Sequence, residues 1–130
     1  MDRPRPRKTG RYDLNLLEWW LEEPIVKENP FLAREPNLSP VPSLSASISS
    51  LPDPHWECHP DAVAAYWKAW EIAFRNLLPA TEKNDFCSAS IDTAFNDCIF
   101  MWDTVFILQF GRYGDRAFKF QGTLDNFYRS

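Results

Sequence analysis

The sequence has few of the residues that disulfide, phosphate and metal sites require. Among 130 residues there are four glycines, three cysteines and two histidines. No glycine-rich phosphate loop and no G-x-S-x-G turn occurs, so the common nucleotide-binding and serine-hydrolase signatures are missing. The odd number of cysteines is not typical of a disulfide framework. We therefore expect a reduced chain without a cofactor.

The two histidines suggest a metal site at first sight. His55 and His59 flank Cys58 in the run P-H-W-E-C-H-P. A structural zinc site takes four ligands, whereas this run offers no fourth ligand and its prolines stiffen the backbone. The sequence therefore predicts no metal site.

Long apolar runs are missing as well. No apolar stretch follows the basic N-terminus, so we expect no signal peptide. The apolar run over residues 98–110 contains Asp103 and is shorter than the roughly 20 residues that span a bilayer. The net charge of -4 and the pI of about 5.1 oppose non-specific binding to nucleic acid. We expect a cytoplasmic protein with neither a membrane nor a nucleic-acid partner.

Residues 1–59 are predicted to form an irregular N-terminal arm. Its basic start favours a solvated tail, and one short helix is predicted over residues 13–23. Residues 24–60 contain eight of the eleven prolines and a Ser/Leu-rich stretch, which is typical of an extended linker or of an arm that wraps over a core through Phe31, Leu32, Leu38 and Val41. The basic side chains are Arg3, Arg5, Arg7, Lys8 and Arg11, and the apolar positions of the short helix are Leu14, Leu17, Trp20 and Leu21.

Residues 60–130 are predicted to be all-α. Aromatic side chains, among them Trp70 and Phe74, repeat at helical spacing over residues 61–78, and Asp61 is the expected N-cap. A polar loop is predicted over residues 81–94. Two further helices are predicted over residues 97–110, with Asn96 or Asp97 as the cap, and over residues 116–127. A short turn with two glycines joins these helices, so they should pack as a helical hairpin.

One carboxylate lies in the most apolar part of the chain. Asp103 is the only charged side chain between Cys98 and Phe110. Burying it unpaired costs several kcal/mol, so it needs a partner, a proton or a wet cavity. Two interpretations follow. Asp103 binds a ligand in an aromatic-lined cavity, or it is a buried carboxylate bonded to an arginine or a backbone N–H of a neighbouring helix.

The run F-N-D-C-I-F-M-W-D-T-V-F-I-L-Q-F-G-R-Y-G over residues 95–114 resembles the start of the catalytic domain of six-hairpin, (α/α)6-barrel glycoside hydrolases. Trehalases, processing α-glucosidases and mannosylglycerate or glucosylglycerate hydrolases are the nearest relatives by this resemblance. The helix Y-W-K-A-W-E-I-A-F over residues 66–74 and the tail T-L-D-N-F-Y over residues 123–128 extend the similarity to roughly half of the chain.

The resemblance implies that residues 60–130 are the first helices of a truncated (α/α)6 toroid whose parent activity is hydrolysis of O-glycosidic bonds. In such enzymes the Trp-Asp-Ser/Thr motif lines the sugar pocket. This implies that Trp102 and Asp103 contact carbohydrate, and Phe106 on the same helix adds an apolar wall. The general acid and base come from later hairpins in that family. Asp97 and Asp103 point to different sides of the helix, so we assign no catalytic residue.

Two other functions stay open. The chain could be a small helical interaction module whose exposed aromatic face is covered by a protein partner, or a truncated product without a function of its own. Each interpretation predicts an open apolar patch. The residues expected to form it are Phe100, Phe106, Trp67 and Trp70.

Overall fold

A computed structural model describes residues 24–91 and 99–129 of the chain. The helix predicted over residues 13–23 and the cap predicted at Asn96 or Asp97 lie outside the described residues. The elements, in chain order, are α1 (Pro24–Lys27), α2 (Leu44–Ser47), a 3-10 helix (Ile48–Ser50), α3 (Pro60–Arg75), β1 (Leu77–Leu78), β2 (Ser90–Ile91), α4 (Met101–Gly111), a second 3-10 helix (Arg112–Gly114) and α5 (Gly122–Arg129).

The described residues form a helix-rich fold with one small sheet. Strand β1 pairs antiparallel with β2, so that Leu77 lies opposite Ile91 and Leu78 opposite Ser90. The sheet has two strands, and the prediction of a helical chain is confirmed for the described ranges. The loop predicted over residues 81–94 is wrong where β2 lies, because Ser90 and Ile91 are buried beside β1.

Helix α3 carries the aromatic stripe that the sequence predicts. Trp70 and Phe74 are buried, and Trp67 is half-buried beside them. On the exposed side, Lys68 Nζ donates to Glu71 Oε1 at 2.8 Å, and this hydrogen bond lowers the pKa of the Glu71 carboxyl. The helix is therefore amphipathic, with one aromatic side that faces the core.

The ends of α3 differ from the prediction. His59 is the N-cap, and Asp61 lies in the first turn instead. At the other end, the Asn76 N–H donates to Ile72 O at 3.2 Å and to Ala73 O at 3.1 Å, which closes the helix. The chain then continues into β1. The backbone N–H and C=O groups of β1 are paired with those of β2 and no longer with groups of the helix.

The proline-rich arm is folded over residues 41–51, and Val41 packs against the core as expected for an arm that wraps over it. Ser43 Oγ accepts the N–H of Ala46 at 3.2 Å and caps α2. Leu51 is buried in the core, and Leu44 packs against it. Two apolar side chains thus anchor a segment whose composition resembles that of a linker.

Helix α4 begins at Met101, four residues later than the prediction of 97–110. Its first turn is closed by the Thr104 N–H, which donates to Phe100 O at 2.9 Å. The helix has 11 residues. No helix in the described part of the chain is long and apolar enough to cross a bilayer.

Helix α5 begins at Gly122, not near residue 116. The residues before it form turns, in which Gly114 O accepts the N–H of Ala117 at 2.8 Å. Phe120 is fully buried within this stretch. The burial of Phe120 holds this part of the chain against the core, so α5 begins only after it.

The core is built around the indole of Trp70. Ring centroids of Phe74, Phe110 and Phe120 lie 6.3, 5.4 and 5.8 Å from that of Trp70. Edge-to-face and tilted ring pairs at these distances add to the energy of apolar burial. Trp70 therefore joins α3, α4 and the turn before α5.

Candidate functional site

Helix α4 is held by a narrow buried stripe. Thr104, Leu108 and Gly111 are buried, and their spacing of four and three residues places them on one side of the helix. A Cβ built on Gly111 would lie 3.1 Å from Phe120 Cβ, so the backbone of α4 packs directly on the Phe120 side chain. This stripe fixes which side of the helix points outward.

The opposite side of α4 is exposed and mostly apolar, with Gln109 as a polar exception. Trp102 is 75% exposed and Phe106 is 60% exposed. Patches of this kind on a protein surface commonly mark ligand or partner sites. We call this surface the α4 aromatic face, and it consists of Met101, Trp102, Val105, Phe106 and Phe110.

Two aromatic rings of this face lie side by side. Trp102 and Phe106 are one helical turn apart, and their ring centroids are 5.3 Å apart with an interplanar angle of 60°. Neither ring is enclosed by the core, since both side chains are more than half exposed. The pair forms a platform on which a flat apolar surface of a ligand can stack.

Asp103 follows Trp102 in α4 and is half-buried. Among the described residues, none donates a hydrogen bond to its carboxylate and none forms an ion pair with it. The described residues therefore do not show the alternative in which Asp103 is bonded to an arginine or a backbone N–H of a neighbouring helix. Asp103 lies in the first turn of α4, where the helix dipole favours a negative charge.

The predicted apolar patch is partly wrong. Trp70 is only 3% exposed, and Trp67 is half-buried beside the core. Phe106 is exposed as expected, and Phe100 is also exposed. The exposed surface therefore comes from α4, and the prediction missed Met101, Val105 and Phe110. A run that is apolar on all sides of a helix does not show which side its neighbours will cover.

Helix α5 holds the segment over residues 87–91 through its side chains. Asn126 Oδ1 accepts the N–H of Ser88 at 3.0 Å, and Asn126 Nδ2 donates to Ser88 O at 3.0 Å. The Cys87 thiol lies 3.5 Å from the same oxygen. One amide side chain thus replaces a strand partner for the backbone of Ser88.

A second side chain of α5 continues this contact. Thr123 Oγ1 accepts the N–H of Ile91 at 3.1 Å. Thr123 and Asn126 are both buried and lie three residues apart on one side of α5; we call them the α5 clamp. The clamp fixes β2. Sequence reasoning missed this role, although two short polar residues at helical spacing in T-L-D-N-F-Y were a signal.

The residues considered for a metal site do not converge. In the described ranges no group of histidine, cysteine and carboxylate side chains could hold an ion. The His59 ring packs on Trp56 with centroids 4.4 Å apart, and His55 Nε2 lies 3.9 Å from Glu57 Oε1. Cys58 is exposed and free. These side chains lie on the surface before α3.

The α4 aromatic face can thus stack on an apolar surface and accept hydrogen bonds through Asp103. Helix α4 itself contains one carboxylate, that of Asp103, whereas glycoside hydrolysis uses two. Comparison of the chain with family models, with curated proteins and with solved structures finds no match.

Proposed function

We propose that the α4 aromatic face is one wall of a sugar pocket in an (α/α)6 glycoside hydrolase-like domain, of which this chain is the first part. The observation that carries the proposal is the exposed Trp102–Phe106 ring pair on the helix that also contains Asp103, whose carboxylate has no partner among the described residues. The resemblance of the W-D-T run to the pocket helix of such hydrolases supports the same function. A cytoplasmic location remains part of this proposal.

Each part of the site suits a pyranose ring. One side of such a ring presents C–H groups that stack on aromatic faces, which Trp102 and Phe106 offer. Its hydroxyls can donate to Asp103, and hydrogen bonds to a charged group are worth about 1.5–3 kcal/mol. The ligand class is an α-linked glucoside, a mannoside or a small saccharide.

Catalysis in this proposal depends on residues outside the α4 aromatic face. Hydrolysis needs two carboxylates about 5–5.5 Å apart for retention or about 6.5–9.5 Å apart for inversion. Helix α4 contains one carboxylate, that of Asp103. Its role is to bind and orient the sugar, and the acid and base come from further helices of the complete domain.

A second function is favoured by the breadth of the apolar surface. Met101, Val105 and Phe110 extend it along α4, beyond the area that a single sugar ring covers. An amphipathic helix from a protein partner would contact all of these side chains at once. The chain would then be an interaction module, and the ring pair would be part of its interface.

The sugar proposal is tested by NMR titration of the six tryptophan indole N–H signals. Trehalose, glucose and mannose are added to the full chain, and the Trp102 signal should shift in a saturable manner. Asp103→Asn should weaken this binding by roughly 10- to 200-fold, because it removes the charged acceptor. Trp102→Ala should abolish it.

The matched control is Trp56→Ala. Trp56 is also an exposed tryptophan, but it lies before α3 and packs on His59. This variant should bind sugar as the parent chain does. Equal shifts of all indole signals, or equal affinities of the parent chain and Asp103→Asn, would rule out a sugar site on α4. Loss of sugar binding in both Trp102→Ala and Trp56→Ala would also rule out a sugar site on α4.

A further inference from the structure

We propose that residues 29–37 form a salt-sensitive strap across α5 and the buried Cys87, and that opening of this strap gives solvent access to the Cys87 thiol. We call residues 29–37 the arm strap. The inference uses no residue of the α4 aromatic face and does not depend on the proposed sugar pocket.

The arm strap lies on the surface of the fold. None of its residues is buried, whereas Val41 and Leu44 further along the chain pack against the core and Leu51 is buried in it. Apolar burial therefore anchors the arm after the arm strap and contributes little to holding the arm strap itself.

The two ends of the arm strap are held at different places. Near its start, the Asn29 side chain donates to the carbonyl oxygen of Tyr128 in α5, and the Phe31 ring lies 5.2 Å from the Tyr128 ring. At its end, the Asn37 N–H donates to Cys87 O at 3.0 Å. The arm strap thus crosses from α5 to the segment that contains Cys87.

Two arginine–aspartate pairs hold the middle of the arm strap, and we call them the latch pairs. In the first, Arg34 Nη1 donates to Asp125 Oδ2 of α5. In the second, Arg129 Nη2 donates to Asp85 Oδ1 at 3.0 Å. The other nitrogen of this guanidinium, Nη1, donates to Arg34 O at 2.9 Å, which connects the second pair to the arm strap.

The latch pairs are accessible to dissolved ions. The Arg34 side chain is 49% exposed and the Asp85 side chain is 84% exposed. Exposed ion pairs contribute little to stability, and salt weakens them further. The screening length falls from about 30 Å at 0.01 M salt to about 3 Å at 1 M. We therefore expect the arm strap to be closed at low ionic strength and to open as the salt concentration rises.

The contacts of the arm strap converge on Cys87, whose thiol is free and 1% exposed. The carbonyl oxygen of Cys87 accepts the N–H of Asn37. The next residue, Ser88, donates through its Oγ to Asp125 Oδ2 at 3.3 Å, and this is the oxygen to which Arg34 donates. Opening the arm strap thus removes contacts at Cys87 and beside it.

The rate of thiol labelling of Cys87 tests the proposal. Cys58→Ser and Cys98→Ser leave Cys87 as the only thiol of the full chain. The reagent is uncharged 4,4'-dithiodipyridine, and absorbance follows its reaction in 10 mM and in 1 M sodium chloride. We expect labelling to be roughly threefold or more faster in 1 M salt, because the latch pairs are screened. A chain with Cys58 as its only thiol corrects for direct effects of salt on the reagent, since Cys58 is exposed.

Variants of the single-thiol chain separate the latch pairs from other charges. Arg34→Gln should label roughly threefold or more faster in 10 mM salt and should depend less on salt. Asp85→Asn should act in the same way, since asparagine tolerates the φ of 54° at this position while it removes the charge. The control is Lys68→Gln, which breaks an exposed ion pair with Glu71 on α3 and should label at the parent rate.

Urea distinguishes opening of the arm strap from unfolding of the whole chain. The effect of urea grows with the surface that is exposed, so labelling through a local opening should change little at low urea. Equal labelling rates in 10 mM and 1 M salt, or in Arg34→Gln and the parent, would overturn the proposal. Equal acceleration by Lys68→Gln and Arg34→Gln would do so as well, as would a rate that follows urea as steeply as global unfolding does.

Discussion

The backbone of Gly114 lies against the indole of Trp70. A Cβ built on Gly114 would be 2.6 Å from Trp70 Cη2 and 2.8 Å from Cζ3. Side-chain atoms do not approach one another so closely, and Trp70 cannot move away because other rings pack around it. The second glycine of the turn after α4 is therefore required by packing.

Gly114→Ala should destabilise the chain. The added methyl group overlaps Trp70, and overpacking of this kind costs about 1–3 kcal/mol. Urea unfolding monitored by circular dichroism measures the change. Gly122→Ala is the comparison, since its Cβ would meet Ser88 Cβ at 3.2 Å and alanine is the better helix former. That variant should stay within about 1 kcal/mol of the parent chain. Equal costs for the two variants would contradict the packing argument.

Asn126→Ala should lower the free energy of unfolding by about 1–3 kcal/mol, because it leaves the N–H and the carbonyl oxygen of Ser88 without partners. Denaturant unfolding measures this loss. Asn37→Ala is the matched control, since Asn37 is exposed and its side chain accepts only the N–H of Ser39. A loss as small in Asn126→Ala as in the control would mean that the α5 clamp does not hold residues 87–91.

Phenylalanines on the two sides of the fold should respond differently to truncation. Phe120 is fully buried, so Phe120→Ala should cost about 3–5 kcal/mol. Phe106 is 60% exposed, and Phe106→Ala should cost under about 1 kcal/mol while it reduces binding of a hydrophobic dye. Thermal melts and dye fluorescence on both variants check this. A large loss of stability in Phe106→Ala would show that the α4 aromatic face is packed in solution.

Asp103→Asn should leave the melting temperature nearly unchanged. The carboxylate has no partner among the described residues, so the substitution breaks no ion pair there, whereas breaking a buried pair costs about 3–5 kcal/mol. Differential scanning calorimetry of the parent chain and the variant measures the difference. A loss of that size would mean that Asp103 is a structural carboxylate, not a ligand-binding one.

The chain by itself should hydrolyse no aryl glycoside. Helix α4 contains one carboxylate, that of Asp103, and hydrolysis needs two. Incubation with nitrophenyl α-glucoside and α-mannoside, followed by absorbance, tests this. Turnover that one Asp or Glu substitution abolishes would disprove the prediction, and the same preparation heated to unfold it serves as the control.

The sequence predicted which segments are helical more accurately than it predicted the residues at which the helices begin and end. The aromatic spacing around Trp70 and Phe74 was enough to predict α3, because a helix that buries one side repeats its apolar residues at a regular period. The late start of α5 was not predictable in the same way. It depends on the burial of Phe120 against Trp70, a contact between residues far apart in the chain.

The sequence singled out Trp102, Asp103 and Phe106 as residues that contact sugar, and this role stays a prediction. The structure places the rings of Trp102 and Phe106 5.3 Å apart on α4. Which side of α4 stays exposed could not be predicted, since apolar residues occur on all sides of that helix. Leu108 belongs to the core cluster that contains Trp70 and Phe120, and Gly111 packs directly on Phe120, so this side of α4 is buried.

The sequence by itself determined the helical class, the aromatic stripe of α3 and the position of a lone carboxylate among aromatic residues. These properties depend on local periodicity and composition, which the chain carries in any context. Only the tertiary structure decided that the arm over residues 41–51 joins the core, that Trp70 is enclosed and that Trp102 is exposed. Burial depends on contacts between residues that are far apart in the chain. A local sequence pattern therefore does not show which of two apolar sides of a helix becomes buried.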